Sequence, residues 1–280
     1  MMTETVLEAT TDDGVKIAVR RFTGAASDTA PRRDVLLLHG WPNSSRIWQS
    51  LAETLIVAAA PAVSLHIFAP DLRGFGDSGK PATGYTCERF AQDVAEVTTA
   101  LNLRDYLLVG HSMGGKIAQI VAAKNPSELS ALALLTPGLL APSPPVDVSA
   151  RIASYGDAGK TRTMLAGWAM HPLSAKDEAM LTEDGLRTGR DAWNGWLETM
   201  RNEDFASLAA QIAVTTLVIG AAKDPQRTEE ELQSGVVSQI AGSTYASIPM
   251  VGHLPHLEDP ILLGSLLINF MDGLPEGVTQ

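Results

Sequence analysis

The stretch LVGHSMGGKIAQIVAAKN, Leu108 to Asn125, passes from an apolar run through glycines into a helical pattern, with one serine at the bend. Leu107, Leu108 and Val109 read as the end of a buried strand, and Ile117, Ile120 and Val121 recur at helical spacing on one face. Ser112 therefore falls in a strand-to-helix turn. Gly110 and Gly114, two residues to either side, remove the side chains that would obstruct so tight a bend. Such a turn holds the serine in a strained conformation with its hydroxyl exposed above the strand end. The pattern is G-x-S-x-G, in which the serine is a candidate nucleophile. A glycine-rich turn whose serine only caps the helix is the competing reading, and the rest of the chain has to decide.

Working outward, two alternating segments, TVLEAT and VKIAVRRF, flank the Asp13-Gly14 turn signal and read as an opening hairpin. Six short apolar runs follow: DVLLLHG, LHIFAPD, YLLVGHS, LALLTP, TTLVIGA and TYASIPM. Runs of this kind suit strands covered on both faces. Helical patterns lie between several of them. One begins near Ser44 with Trp48, Leu51 and Leu55 on a stripe, another near Thr86 with Phe90, Val94, Val97 and Leu101, and PILLGSLLINFM suggests a final helix. The alternation predicts an α/β fold, a mostly parallel eight-stranded sheet with helices on both faces. It stops over residues 139–208, which begin within the proline-rich GLLAPSPPVD of residues 138–147 and are helical in composition beyond it. This segment reads as a helical lid inserted between core segments 1–138 and 209–280. Its Trp168, Trp193 and Trp196 are candidate pocket residues, the alternative being tryptophans that only fill the core.

The chain has 280 residues, 45% hydrophobic and 19% charged, which allows one large domain or a domain with an insertion. A formal charge of -11 disfavours nucleic acid or an anionic membrane as partner. Cys87 is the single cysteine, so no intrachain disulfide forms. The opening MMTETVLEATTDDG lacks a basic and an apolar region, and the longest apolar run, LIVAAAPAV, is too short to span a bilayer. The expectation is a cytoplasmic protein with a small-molecule substrate. Its oligomeric state is not legible.

A serine hydroxyl needs a base to become a nucleophile. Of six histidines, His39 and His111 lie in motifs beside the sheet, His66 in a strand and His171 in the insertion. His253 and His256, in MVGHLPHLEDP, follow the last strand, where loops gather at the carboxyl ends of parallel strands. His253 follows Gly252 and is the candidate base, with His256 packing or hydrogen-bonding at the start of the final helix. Asp224 in TTLVIGAAKDP is the candidate carboxylate that fixes the imidazole tautomer. Glu229, Glu230 and Glu231 read as a solvated helical turn, Asp71 as architectural, and Asp157 and Asp177 as remote alternatives. Backbone N–H groups of Met113 and Trp41 are candidates for stabilising an oxyanion. No zinc-ligand spacing, P-loop or dinucleotide fingerprint occurs, so no metal or cofactor is expected.

Through HGWP, DLRGFGDS, GHSMGG, GAAKDP and GHLPHLEDP the chain resembles the α/β-hydrolase superfamily over nearly its whole length. From Leu37 to Gly115 it is similar to serine arylesterases and cofactor-free perhydrolases. The resemblance implies Ser112 as nucleophile, Asp224 as acid, His253 as base, and Trp41 with Met113 as oxyanion hole. HGWPNSSRIW also resembles haloalkane dehalogenases and epoxide hydrolases, which attack with an aspartate where this chain has Ser112. The expected activity is hydrolysis of carboxylic esters or lactones of small, largely apolar substrates through an acyl-enzyme. Cleavage of carbon-carbon or amide bonds, a slow-turnover receptor, and a cofactor-free oxygenase are the alternatives. For the last of these the strand before the insertion would be expected to offer an acid, where this chain has Thr136-Pro137.

Overall fold

A computed structural model describes residues 2–25 and 30–274. Residue 1 and residues 275–280, the outer ends of the two expected core segments, lie outside the described residues. The chain forms one sheet from β1 (Thr3–Thr10), β2 (Lys16–Thr23), β3 (Arg32–Leu38), β4 (Ser64–Pro70), β5 (Tyr106–His111), β6 (Leu129–Leu135), β7 (Thr215–Ala221) and β8 (Thr244–Ile248). Their order is β1-β2-β4-β3-β5-β6-β7-β8. The β1–β2 and β2–β4 pairs are antiparallel, the other five parallel. Val35 to Leu38 and Ala131 to Leu135 are buried without a break, so the central strands are covered on both faces.

The helices of the core are α1 (Gln49–Ala59), α2 (Cys87–Ala100) and α3 (Met113–Ala123). From β3 the chain crosses through α1 to β4, toward β1. From β5 it crosses through α3 to β6, toward β8. Right-handed crossovers running in opposite directions place their helices on opposite faces and leave a crevice at the carboxyl ends of β3 and β5, where the direction reverses. Leu38 pairs with Gly110 there, so the residues that follow each strand, Trp41 and Ser112, come out side by side.

Between β6 and β7 lie α4 (Ser149–Ile152), α5 (Ala158–Ala166), α6 (Ala175–Arg187) and α7 (Arg190–Asn194), followed by short helical turns at Gly195–Thr199, Met200–Asn202 and Ala206–Gln211. Asp157 and Ser174 cap α5 and α6 by accepting from the Lys160 and Asp177 amides, so Asp157 and Asp177 are spent on the insertion's own helices. A buried ion pair ties this segment to the core. The fully buried Asp184 carboxylate accepts from Ser44 Oγ at 2.7 Å and from Arg46 Nε at 2.9 Å. A carboxylate so enclosed is tolerated only with such partners, because desolvation alone would neutralise it.

After β7 come α8 (Glu229–Gly235), α9 (Pro255–Glu258) and α10 (Pro260–Asp272). Thr228 and Glu231 form a capping box on α8, which accounts for the three glutamates there. The final helix is divided. Asp259 caps α10 by accepting from the Leu262 amide and Pro260 stands in its first turn, leaving His256 in a separate turn. Asp71 is architectural as expected: its carboxylate accepts from the Ser45 and Asp77 amides, at 2.6 and 2.7 Å, bracing the turn after β4 against the one after β3.

Candidate active site

Ser112 has φ 51° and ψ −116°, a left-handed conformation that a side chain adopts only under constraint. The constraint is close packing. A Cβ at Gly110 would lie 2.5 Å from the Gly114 carbonyl oxygen, and one at Gly114 would lie 2.3 Å from that of Leu38. Both glycines are therefore required by the approach of α3 to β5 and β3. Ser112 occupies the N-cap position of α3, yet its hydroxyl makes no capping bond. Its Oγ lies 3.0 Å from His253 Nε2. That removes the reading of Ser112 as a mere helix cap.

His253 Nδ1 lies 2.7 Å from Asp224 Oδ2. A carboxylate only accepts, so Nδ1 carries the proton and Nε2 is left with a lone pair facing Ser112. The second oxygen of Asp224 accepts from the Gln226 and Arg227 amides, at 2.7 and 3.2 Å, which fixes the carboxylate. The Asp224 side chain is fully buried and that of His253 nearly so. The loop bearing His253 is held on both sides. Its amide donates to Trp168 O at 2.7 Å, and its carbonyl meets His111 Nε2 at 2.8 Å. Glu258 clamps the same loop by accepting from the Gly252 amide through Oε1 and from the Met170 amide through Oε2. Gly252 is needed for contact, since a Cβ there would lie 2.4 Å from Trp168 O.

The Gly40-Trp41 backbone passes close to the serine, a Cβ at Gly40 falling 3.0 Å from Ser112 Cβ. The amides of Trp41 and Met113 donate to no other backbone or side-chain group among the described residues. Met113 is the first residue of α3, where N–H groups are free and the helix dipole favours negative charge. Ser112 and His253 open onto a cavity of about 260 Å³, whose walls include Trp41, Trp168 and Trp196. Trp193 is placed differently: fully buried, it stands behind Trp41 at 4.6 Å and donates to Arg151 O, away from the cavity wall. Nor are the walls mostly apolar. Arg151, Arg201 and Arg227 line the cavity; the sequence offers no signal for the first two because helical spacing in short helices does not tell inward from outward, or for Arg227 because it stands in a loop. Among the described residues no group of three His, Cys, Asp or Glu side chains could hold a metal ion.

His256 packs, as expected, but in the second rank. Its ring lies 4.6 Å from His111 and 4.9 Å from Trp48, and neither nitrogen has a protein partner. Burial, and then the neighbouring His253, push its pKa down from the ordinary 6.5 to about 3. Below pH 6.5 the unfolded chain binds a proton that the folded ring refuses, so stability is fully present above that value and declines as the pH falls toward 3. We expect the ring to account for about 2 kcal/mol of lost stability at pH 5. Urea unfolding at pH 5 and 7 checks this: His256→Phe, which keeps the stack, flattens the decline by that amount, and an unchanged slope contradicts it.

Residues 35–263 match the alpha/beta hydrolase family. The chain belongs to that family. It is 27% identical to a Bacillus subtilis (strain 168) protein provisionally named 2-succinyl-6-hydroxy-2,4-cyclohexadiene-1-carboxylate synthase, over 95% of this chain and 98% of that one. Among solved structures it resembles an esterase from Exiguobacterium antarcticum, with a TM-score of 0.82 at 23% identity, covering 96% of this chain and 100% of the other. The enol-lactonase from Burkholderia xenovorans LB400 superposes with a TM-score of 0.78 at 19% identity, covering 95% and 100%. Likenesses at this identity show the fold, and the chemistry of this hydrolase has to come from its own site. Among the described residues, no helix is long and apolar enough to cross a membrane.

Proposed function

We propose that this hydrolase cleaves carboxylic esters or lactones through an acyl-enzyme formed on Ser112. The continuous relay from Ser112 Oγ to His253 Nε2 and from His253 Nδ1 to Asp224, at the floor of a cavity, carries the reading. His253 takes the hydroxyl proton as Ser112 attacks the carbonyl carbon, and Asp224 stabilises the imidazolium. The Trp41 and Met113 amides receive the oxyanion. His253 then protonates the leaving alcohol, and water, deprotonated by the same imidazole, releases the acid. The esterase and the enol-lactonase share the fold on which this site is built.

In this reading residues 139–208 form a lid on a core made of residues 1–138 and 209–280, and the enzyme works in the reducing cytoplasm, which suits the single buried thiol of Cys87. The lid contributes Trp168 and Trp196 to the cavity wall. Trp168→Ala shifts the ratio of kcat/KM between acetate-like and bulky aromatic esters by about ten- to two-hundredfold. Measuring both classes on parent and variant checks it, and an unchanged ratio with a lower Tm makes Trp168 a packing residue only.

A screen of the purified protein against short-chain p-nitrophenyl esters, lactones and amides tests the function. Multiple turnover on esters or lactones is the expected result. Turnover of amides alone, or binding without turnover, would contradict it in favour of an amidase or a receptor.

A further inference from the structure

Three arginines line the cavity onto which Ser112 opens. Arg151 comes from α4, Arg201 from the turn Met200–Asn202, and Arg227 from the loop between β7 and α8. Arg151 donates to Gln226 Oε1 at 3.0 Å and Arg201 to Pro144 O at 3.2 Å, and neither meets a carboxylate among the described residues. Arg227 has Glu231 at 3.5 Å. Asp224 makes no ion pair with any of them; its oxygens meet His253 Nδ1 and two backbone amides. Three fixed positive charges thus share one cavity with a single available carboxylate, in a chain whose acids outnumber its bases by 32 to 21. Burial, followed by repulsion from Arg151 and Arg227, disfavours the charged form of Arg201. A guanidinium stays protonated nonetheless, so the repulsion persists until an anion enters. The forked N–H geometry of arginine suits a planar or tetrahedral oxyanion held by paired hydrogen bonds.

We infer that the cavity is built for an ester or lactone bearing its own anionic group apart from the scissile carbonyl. A carboxylate is the smallest such group, and about 260 Å³ lies just below the roughly 300–1,000 Å³ of drug-sized ligand sites. The inference rests on the proposal that Ser112 attacks a carbonyl, and it replaces the expectation of a largely apolar substrate.

The test compares p-nitrophenyl hydrogen glutarate with p-nitrophenyl pentanoate and with p-nitrophenyl methyl glutarate. The leaving group is constant and charge is the main change. The parent enzyme is expected to favour the charged ester by about tenfold or more in kcat/KM. That preference falls as salt is added. It also falls in Arg151→Gln and in Arg201→Gln, and further in the double variant. Equal or lower kcat/KM for the charged ester overturns the inference, as does a preference that both single variants retain. Should the variants unfold, the parent's ratio and its salt dependence decide. Failure of the catalytic proposal looks different: no ester is turned over, or turnover survives in Ser112→Ala. Calorimetry with glutarate on Ser112→Ala then still tests the cavity. Binding that Arg201→Gln weakens supports the inference, and no binding at millimolar glutarate overturns it.

Discussion

Ser112→Ala lowers kcat for ester hydrolysis by about 10³–10⁶-fold and leaves the fold intact. The loss is this large because the Ser112 hydroxyl lies within hydrogen-bond distance of the imidazole lone pair, at 3.0 Å, and is the atom the proposed mechanism acylates. Without it, what remains to act on the carbonyl is the cavity and the free Trp41 and Met113 amides. The fold survives because close packing of glycines around the turn imposes the backbone at φ 51°, and alanine has a smaller side chain than serine at the same position. Steady-state assays with p-nitrophenyl esters, with circular dichroism as the folding control, check both halves. Activity near the parent level in a folded variant would place the nucleophile elsewhere.

His253→Ala produces a loss of similar size, about 10⁴–10⁶-fold in kcat, with a much smaller change in KM. The serine then has no proton acceptor, since Asp224 reaches it only through the imidazole. The other two histidines nearby cannot substitute. His111 is committed to the His253 carbonyl, and His256 lies in the second rank against Trp48. Burial pushes the pKa of both downward, so they remain neutral rings that do not contact the hydroxyl. Stopped-flow measurement of acylation separates the step: His253→Ala slows acylation itself. An acylation rate at the parent level would show that another group takes the proton.

The elbow was legible because its signals are local. A strand end, two glycines and a helical stripe lie within a few residues of Ser112, and each constrains the backbone directly. The positions of Asp224 and His253 were legible because each follows a strand of a parallel sheet, whose carboxyl ends share one edge. Gly252, just before His253, is required because its missing Cβ admits the Trp168 carbonyl. The insertion was less transparent. Its helices are short and α5 buries only Thr161 and Leu165, so there is no broad apolar stripe from which to orient the segment. The inward turn of Arg151 and Arg201, and the separation of Trp193 from Trp196, depend on how these short helices rest on the core. Ion pairs between residues far apart in sequence, such as Arg46 with Asp184, decide that. Glu258 carries no signal in the sequence because a glutamate near a helix start ordinarily serves the helix, whereas here it holds the loop of His253 to the insertion.

If Ser112 is acylated during turnover, its hydroxyl also reacts with a covalent serine label. The protein is treated with an alkyl fluorophosphonate, which forms a stable adduct with a serine activated by a neighbouring imidazole, and is then digested and read by tandem mass spectrometry. One adduct per chain is expected, on Ser112, forming in step with loss of esterase activity and absent from Ser112→Ala. An adduct on any other residue, or full activity retained by protein labelled at Ser112, would contradict it.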